Sequence, residues 1–250
     1  MSLLKLRSRF RSIESLNSIL SAMEVVTTVQ LQRLKERHAQ AEVYLRPIKH
    51  VLYGRLEPVQ TTGKKVIVLQ SAKGLCGGFN EKALQIAAVF QKEHPGTELV
   101  QLADEGKLTY ARAAELWRSQ FSADQEIYVA YNAYRGSINT TPTIYRLYPF
   151  PQDFTPDKKL AEMTLEPTPE KLVERLFTHF LEARFYQLLV NSKLSELTAR
   201  LMVLNSSVDN SSELIDELRL RINKLRQANI TRDLAEVISS AETMRSDEDE

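Results

Sequence analysis

The stretch from Leu194 to Leu225 reads LSELTARLMVLNSSVDNSSELIDELRLRINKL and carries an unbroken heptad pattern. Its apolar residues form two rows that repeat every seven positions, with Ser211 as the one polar member. The first row is Leu194, Leu201, Val208, Ile215 and Ile222, and the second is Leu197, Leu204, Ser211, Leu218 and Leu225. A seam that repeats every 3.5 residues predicts a partner helix and a left-handed supercoil.

Glycine and proline are confined to the middle of the chain. All 8 Gly and 9 Pro lie between Pro47 and Pro169, so both ends predict uninterrupted helix. Thr168-Pro169-Glu170 supplies an N-cap hydroxyl, a first-turn proline and an early acid for the C-terminal helix. About 75 helical residues from there would extend roughly 110 Å, too long for a helix inside one globular domain.

The N-terminal segment repeats its apolar residues every three or four positions, as one helix face does. These residues are Leu3, Leu6, Phe10, Ile13, Leu16, Leu20, Met23 and Val26. Pro47 predicts a kink or the beginning of the helix end. We expect one helix of some fifty residues that pairs with the C-terminal seam in an antiparallel coiled coil. Two separate amphipathic helices of a bundle are the alternative.

The middle of the chain alternates strand-like and helix-like patterns. Four segments predict strands: Lys65–Gln70, Glu98–Leu102, Glu126–Tyr131 and Thr143–Tyr148. Helical patterns follow the first two strands, around Ala83–Phe90 and Tyr110–Trp117. This alternation predicts a small α/β, Rossmann-like domain with a largely parallel sheet, inserted between the two long helices.

These patterns divide the chain into five regions. We predict a coiled-coil helix over residues 1–55, an α/β domain over 64–150 and a proline-rich linker over 151–168. The C-terminal coiled-coil helix is predicted over 169–245 and an acidic tail over 246–250.

Composition excludes several classes of function. A net charge of +1 gives no general attraction to nucleic acid, and a single cysteine excludes an internal disulfide or a Cys-rich zinc site. The four histidines have no metal-ligand spacing, so we expect no metal. No run of 18 apolar residues is present, so we expect no membrane insertion and a cytoplasmic protein.

The loop after the first predicted strand reads Ser-Ala-Lys-Gly-Leu-Cys-Gly-Gly-Phe-Asn from Ser71 to Asn80. A nucleotide phosphate would bind at this place in a doubly wound fold. However, the glycines fit neither G-x-G-x-x-G nor G-x-x-x-x-G-K-[ST], and Cys76 has no histidine nearby in sequence. A tight strand-to-helix turn explains the glycines, and we predict no catalytic residues and no cofactor.

A second distinctive stretch lies near the end of the C-terminal helix, from Asn223 to Val237. Asn229 falls where the seam predicts an apolar residue, and the apolar phase then shifts, which changes the local winding of a coiled coil. Gln227, Thr231 and Asp233 are gathered at the same place. A solvated helix face with a register-fixing Asn is the alternative interpretation.

Together these motifs resemble the gamma subunit of F-type ATP synthases over the whole chain. The matching segments are Arg9–Ile13, Ala22–Val26, Lys73–Asn80, Tyr131-Asn132 with Ser137, Ser195-Glu196, Arg200, Met202, Asp209-Asn210, and Arg226-Gln227 with Ile230-Thr231. The glycine loop, with Lys73, Gly74, Leu75, Cys76, Gly77, Gly78 and Asn80, and the Arg-Gln…Ile-Thr pair are the most specific of them.

The resemblance implies a central-stalk rotor that couples proton or sodium flow to ATP synthesis or hydrolysis. It implies alpha, beta and epsilon subunits and a membrane c-ring as partners, catalysis in the beta subunits, and a peripheral position on the cytoplasmic side of a bacterial inner membrane. Family contacts with the ring correspond to Met23, Arg226, Gln227, Thr231, Asp233 and Glu236, and Arg200 matches a residue that affects coupling. Because the helices are antiparallel, we expect Met23 and Gln227 to be neighbours across the seam.

The chain departs from the family pattern in a few places. Ser21 and Ala72 stand where a basic and an acidic residue are usual, and the segment between Leu102 and Tyr128 is short. We therefore expect a divergent member. Two rival interpretations remain: a structural coiled-coil tethering protein with an α/β domain, and a nucleotide-binding enzyme that would require a phosphate site in the middle domain.

Overall fold

A computed structural model describes residues 3–52, 55–56, 59–103, 107–136, 140–150 and 169–246, with side chains in the last segment described from 172 to 239. The order of elements is α1 (Leu3–Leu52), β1 (Gly63–Leu69), α2 (Phe79–Glu93), β2 (Glu98–Leu102), α3 (Tyr110–Gln120), β3 (Gln125–Tyr134), β4 (Thr140–Tyr148) and α4 (Pro169–Ser246). The predicted linker and the acidic residues after Ser246 lie outside the described residues.

The two predicted long helices are confirmed. Helix α1 has 50 residues and α4 has 78, and α4 begins at Pro169 as its start signal predicts. Pro47 lies inside α1, which continues to Leu52, so the helix ends one turn later than the proline alone indicates. Two compact units divide these helices: residues 1–25 with 204–250, and residues 26–203.

The sheet of the second unit has the order β2-β1-β3-β4. Strand β1 is parallel to both β2 and β3, and β4 is antiparallel to β3, so the predicted largely parallel sheet is confirmed. Both faces of β1 are covered, which explains its continuous apolar sequence. Val66 and Val68 pack with Ala83 and Ala87 of α2, whereas Ile67 packs on the opposite side in a cluster with Trp117 of α3.

The same unit contains residues 26–52 of α1 and residues 169–203 of α4. Leu31 and Leu34 of α1 pack with Val190, Leu194 and Leu197 of α4 in one buried cluster. A larger cluster joins α1, α4 and the sheet, and Phe180, Phe185, Leu52 and Leu147 are fully buried in it. Each such side chain stabilises the fold by roughly 1.5–3 kcal/mol relative to its exposed state.

In the first unit the ends of α1 and α4 form an antiparallel pair. The guanidinium of Arg219 lies 5.9 Å from the ring of Phe10, and the Ser211 hydroxyl donates to Asn17 Oδ1 at 2.6 Å. A step forward along α1 therefore corresponds to a step backward along α4. Both heptad rows of α4 are buried or half-buried, which confirms the predicted seam, and its polar member Ser211 finds a polar partner.

The face of α1 differs from the prediction between Leu16 and Val26. Asn17 and Glu24 are half-buried and Thr27 is 5% exposed, whereas the predicted seam residues Leu16, Met23 and Val26 are 46%, 37% and 55% exposed. The inward positions continue a strict heptad from Leu6 to Leu34, and apolar periodicity could not show that polar residues occupy it. This stretch of α1 exposes several apolar side chains, while Asn17, Glu24 and Thr27 share the inward face with Leu20.

The Asn17–Ser211 hydrogen bond generates a stability prediction. Ser211→Ala removes the hydroxyl that Asn17 accepts from and should lower the free energy of unfolding by about 1 kcal/mol. The double variant Asn17→Leu, Ser211→Leu places an apolar layer in the seam and should recover at least that amount. Urea unfolding followed by helical circular dichroism measures both. An unchanged midpoint in Ser211→Ala would show that this layer does not contribute to pairing.

Candidate functional site

The glycine loop leaves the carboxyl end of β1 and leads into α2, and its own side chains hold its two ends together. Asn80 Oδ1 accepts from the Ser71 amide at 2.8 Å, and Asn80 Nδ2 donates to the Ser71 carbonyl at 2.9 Å. Asn132 of β3 donates to the Phe79 carbonyl at 2.7 Å. The asparagine at the end of the sequence motif therefore closes the loop.

The backbone of the loop explains one of its glycines, Gly77. Gly77 has a φ of +56°, and a Cβ there would lie 3.5 Å from the side chain of Val203. Gly78 precedes α2 directly, and no side chain caps that helix start. Leu75 also has a positive φ of 60°, is 46% exposed and is held between Gly74 and the buried Cys76. Fixed contacts on both sides hold this uncommon conformation.

Arg200 of α4 is the residue that fixes the loop against the long helix. Its guanidinium donates to the carbonyls of Gly74 and Lys73 at 3.3 and 3.4 Å and to the Ser71 hydroxyl at 3.3 Å. It also pairs with Glu196 at 2.7 Å, one helical turn earlier, and both side chains are less than 10% exposed. We call this set of contacts the arginine–loop contact.

The polarity of this contact argues against a phosphate site. A loop that binds phosphate presents N–H groups to the anion, whereas this loop presents carbonyl oxygens to a guanidinium. The neighbouring cavity, lined by the ends of β1 and β2 and by Lys73, Lys193 and Glu196, has a volume of about 160 Å³. Small-molecule sites have roughly 300–1,000 Å³. Among the described residues no cluster of potential metal ligands occurs.

The other predicted contact residues lie in two separate places in the first unit. Met23 is on the outward face of α1, next in line after Leu16 and Ile19. From the pairing of Asn17 with Ser211, it lies level with about residue 205 of α4. Gln227 lies eight residues beyond Arg219, level with the first turn of α1.

The expectation that Met23 and Gln227 are neighbours is therefore wrong. The two are separated by roughly 30 Å along the helix axis, at 1.5 Å per residue. The physical reason is the unequal length of the helices: α4 has 78 residues and α1 has 50, and the observed register lets α4 extend beyond Leu3. Counting from the two chain ends could not give this register.

The predicted contact residues near the end of α4 are all exposed. Arg226, Gln227, Thr231, Asp233 and Glu236 have solvent-facing side chains. Thr231 donates to the Gln227 carbonyl at 3.0 Å, and Arg232 lies 3.8 Å from Glu236. Asn229 is half-buried and completes the first heptad row, after which the described side chains through Ser239 are exposed.

Sequence reasoning assigned no role to the residues that position Arg200 and the loop. Glu196 orients Arg200 and also binds Lys193 at 2.7 Å, and Ser71 links the guanidinium to the Lys73 carbonyl. The spacing of Glu196 and Arg200, four residues apart on one helix, could have indicated the ion pair. Nothing in the sequence indicated that Arg200 would point towards the loop.

The arginine–loop contact generates the second prediction. Arg200→Lys keeps a positive charge beside Glu196 but removes the planar guanidinium group, which donates to three oxygen atoms of the loop. The loop should therefore open more often. Cys76 is the single cysteine, is 6% exposed, and its thiol faces the Lys73 carbonyl at 3.6 Å, so its rate of labelling by a thiol reagent reports that opening. We expect labelling to accelerate about tenfold or more, because hydrogen bonds to charged groups contribute roughly 1.5–3 kcal/mol.

Lys193→Gln is the matched control for this measurement. It removes the other cation bound to Glu196 and leaves the guanidinium group of Arg200 in place. Its labelling rate should stay within about twofold of the original chain, since its ammonium is partly exposed. Equal rates in Arg200→Lys and the unmodified chain would mean that Arg200 does not hold the loop closed.

Comparison with known proteins gives consistent matches over the whole chain. A protein-family model described as ATP synthase matches residues 2–244. A protein named ATP synthase gamma chain from Geotalea daltonii is 30% identical over 286 residues, covering 98% of this chain and 99% of the relative. The protein of the same name from Actinobacillus pleuropneumoniae serotype 5b is 29% identical over 280 residues, covering 95% and 97%.

Solved structures show the same fold. A chain in the mitochondrial ATP synthase of Euglena gracilis, in an assembly of OSCP, F1 and c-ring in rotational state 3, superposes with a TM-score of 0.70. It is 15% identical, and the match covers 98% of this chain and 95% of that one. A chain in the rotor of the same organism's enzyme gives a TM-score of 0.61 at 13% identity, over 91% and 98% of the two chains. At these identities the likeness concerns the fold.

Proposed function

The chain belongs to the ATP synthase family, as a gamma chain of the central stalk, and from this premise we propose how its residues serve a rotary enzyme. The two ends of α1 and α4 turn inside a ring of alternating alpha and beta subunits. The second unit, with the α/β domain, meets the epsilon subunit and the membrane c-ring. Rotation couples proton or sodium flow to ATP synthesis or hydrolysis.

The observation that carries this proposal is the mixed patterning of α1. Leu16, Ile19 and Met23 form an outward apolar stripe, while Asn17 and Glu24 occupy two of the inward heptad positions beside Leu20. A helix that served only to pair with α4 gains nothing from exposing its apolar residues. An outward apolar stripe, on a helix that places some polar residues in its own seam, is expected where a second protein surrounds the helix pair.

A band of positive charge in the same unit supports an acidic partner surface. Four basic residues of α1 lie level with four of α4; these are Lys5, Arg7, Arg9, Arg11, Arg219, Arg221, Lys224 and Arg226. Along α4, Arg219 and Arg221 pair with Asp216 and Glu217. Long-range complementarity of charge steers such contacts and fixes which partners meet.

We assign the predicted contact residues to two levels of the ring. Met23 belongs to the apolar stripe. The other residues belong to the end of α4, where Arg226 and Gln227 lie level with the start of α1 and Thr231, Asp233 and Glu236 lie beyond it. Arg200 is buried and touches the glycine loop, so any effect on coupling acts through that loop.

The remaining assignments follow from the family. The chain is non-catalytic, because catalysis resides in the beta subunits, and it holds no cofactor. It lies peripherally on the cytoplasmic side of a bacterial inner membrane. Among the described residues, no helix is long and apolar enough to cross a membrane. A coiled-coil tethering protein explains the seam but not the outward stripe.

Assembly with alpha and beta subunits tests the proposal. Because an apolar stripe and a band of cations stay solvated in the isolated chain, binding inside a ring should stabilise it. We expect the helical signal of this chain to melt at least 10 °C higher in a complex with alpha and beta than alone, as ligation worth a few kcal/mol would produce. Failure to co-purify with alpha and beta subunits from the same genome would refute the proposal.

Met23→Lys tests the placement of the coupling contact. A lysine in the apolar stripe is either desolvated against the ring or paired with an acid there, which changes the free energy of one rotary position by roughly 1–3 kcal/mol. Because a rotor has to leave each position readily, we expect slower turnover or fewer ions pumped per ATP hydrolysed, with assembly intact. Reconstituted vesicles measure both quantities.

Val43→Lys is the matched control, since Val43 is a 75% exposed apolar residue of α1 outside the stripe. Its pumping ratio and turnover should equal those of the unmodified complex. If Met23→Lys behaves in the same way as Val43→Lys, the stripe does not carry the contact.

A further inference from the structure

Three elements of the second unit meet at one side chain, Asn191 of α4. Its Oδ1 accepts from the backbone amide of Tyr134, the last residue of β3, at 2.8 Å. Its Nδ2 lies 2.9 Å from Nε2 of His38 on α1. Asn191 therefore connects the sheet, the first long helix and the last, and we call these three residues the His38 junction.

The backbone amide of Tyr134 fixes the orientation of the Asn191 amide group. Only an acceptor can face an N–H donor, so Oδ1 points to the strand and the NH₂ group points to His38. The His38 nitrogen that faces this NH₂ group has to be an acceptor. Neutral His38 satisfies the junction when its proton is on Nδ1 and Nε2 has a free lone pair.

Protonation of His38 removes that acceptor. Both ring nitrogens of an imidazolium are donors, so Nε2–H would then face the Asn191 NH₂ group. Turning the amide over does not help, because its NH₂ group would then face the Tyr134 amide. One of the two hydrogen bonds is lost in either orientation.

The surroundings of His38 shift its pKa in both directions. Burial lowers the pKa of His38, Glu42 on the same helix raises it, and Arg184 of α4 lowers it. On the sheet side the neighbouring residue is Tyr134, over whose ring the Lys35 ammonium lies at 6.0 Å. The open junction therefore binds a proton more readily than the closed one, so acidification favours opening.

We propose that the His38 junction is an acid-sensitive contact. It holds the end of β3 against the two long helices and releases it when His38 is protonated. The junction is closed above a pH of about 6.5, the usual pKa of a histidine. It opens progressively as the pH falls below that value. This regulation of the domain's attachment goes beyond the proposed rotary function and does not depend on it.

Hydrogen exchange of the Tyr134 amide in the full chain directly measures how often the His38 junction opens. After correction for the intrinsic exchange rate, its protection factor should fall roughly three- to tenfold between pH 7.5 and 5.5, as the loss of one hydrogen bond predicts. The amides of Val66 and Val68 in the central strand are the internal control, and their protection should not change over this range. Nitrogen NMR of His38 at pH 7.5 should show the proton on Nδ1.

Two variants distinguish opening of the His38 junction by protonation of His38 from a general effect of acid on the fold. His38→Gln offers a carbonyl acceptor at any pH, so the protection of the Tyr134 amide should become independent of pH. Asn191→Asp provides two acceptor oxygens, one for the Tyr134 amide and one for protonated His38, so acidification should increase protection instead. A fall in protection in His38→Gln equal to that in the unmodified chain would overturn the proposal, as would the same fall in Asn191→Asp.

Discussion

The structure depends on the register in which α1 pairs with α4, because this pairing forms the helix pair of the first unit and part of the buried core of the second. Apolar heptad layers alone permit the helices to slide by seven residues at little cost, whereas a polar layer does not. The Asn17–Ser211 hydrogen bond is such a layer in the first unit, and His38 with Asn191 is one in the second. Each pairs two partly buried polar groups that a shifted register would separate.

The fold could be predicted from the sequence because its signals are long and consistent. The seam from Leu194 to Leu225, the absence of glycine and proline from both ends, and the alternation of strands and helices each indicate one architecture. The register and the inner face of α1 could not be predicted. Periodicity identifies an apolar face, but it does not distinguish a face that packs on α4 from one that stays exposed in this chain, as Leu16 and Met23 show.

The candidate site divides in the same way. The loop from Lys73 to Asn80 and Arg200 were both identified by their resemblance to family motifs, yet 120 and more residues separate them in sequence. No local pattern joins them, because their contact is a long-range hydrogen bond between a side chain and backbone carbonyls. The role of Arg200 as an internal residue rather than a surface contact follows from its burial alone.

The arginine–loop contact lies where a doubly wound sheet usually binds its ligand. In doubly wound domains the crevice beyond the carboxyl ends of parallel strands is open and receives the ligand. In this chain α4 covers that crevice, and its Arg200 fills the place with a buried cation that pairs with Glu196 and with loop carbonyls. A ligand site thereby becomes an internal joint between a small domain and a long helix. Buried ion pairs contribute little net stability compared with apolar packing. Misalignment of such a pair is strongly destabilising, because it leaves buried charges uncompensated. Such a joint favours one fixed geometry, which a part that transmits rotation requires.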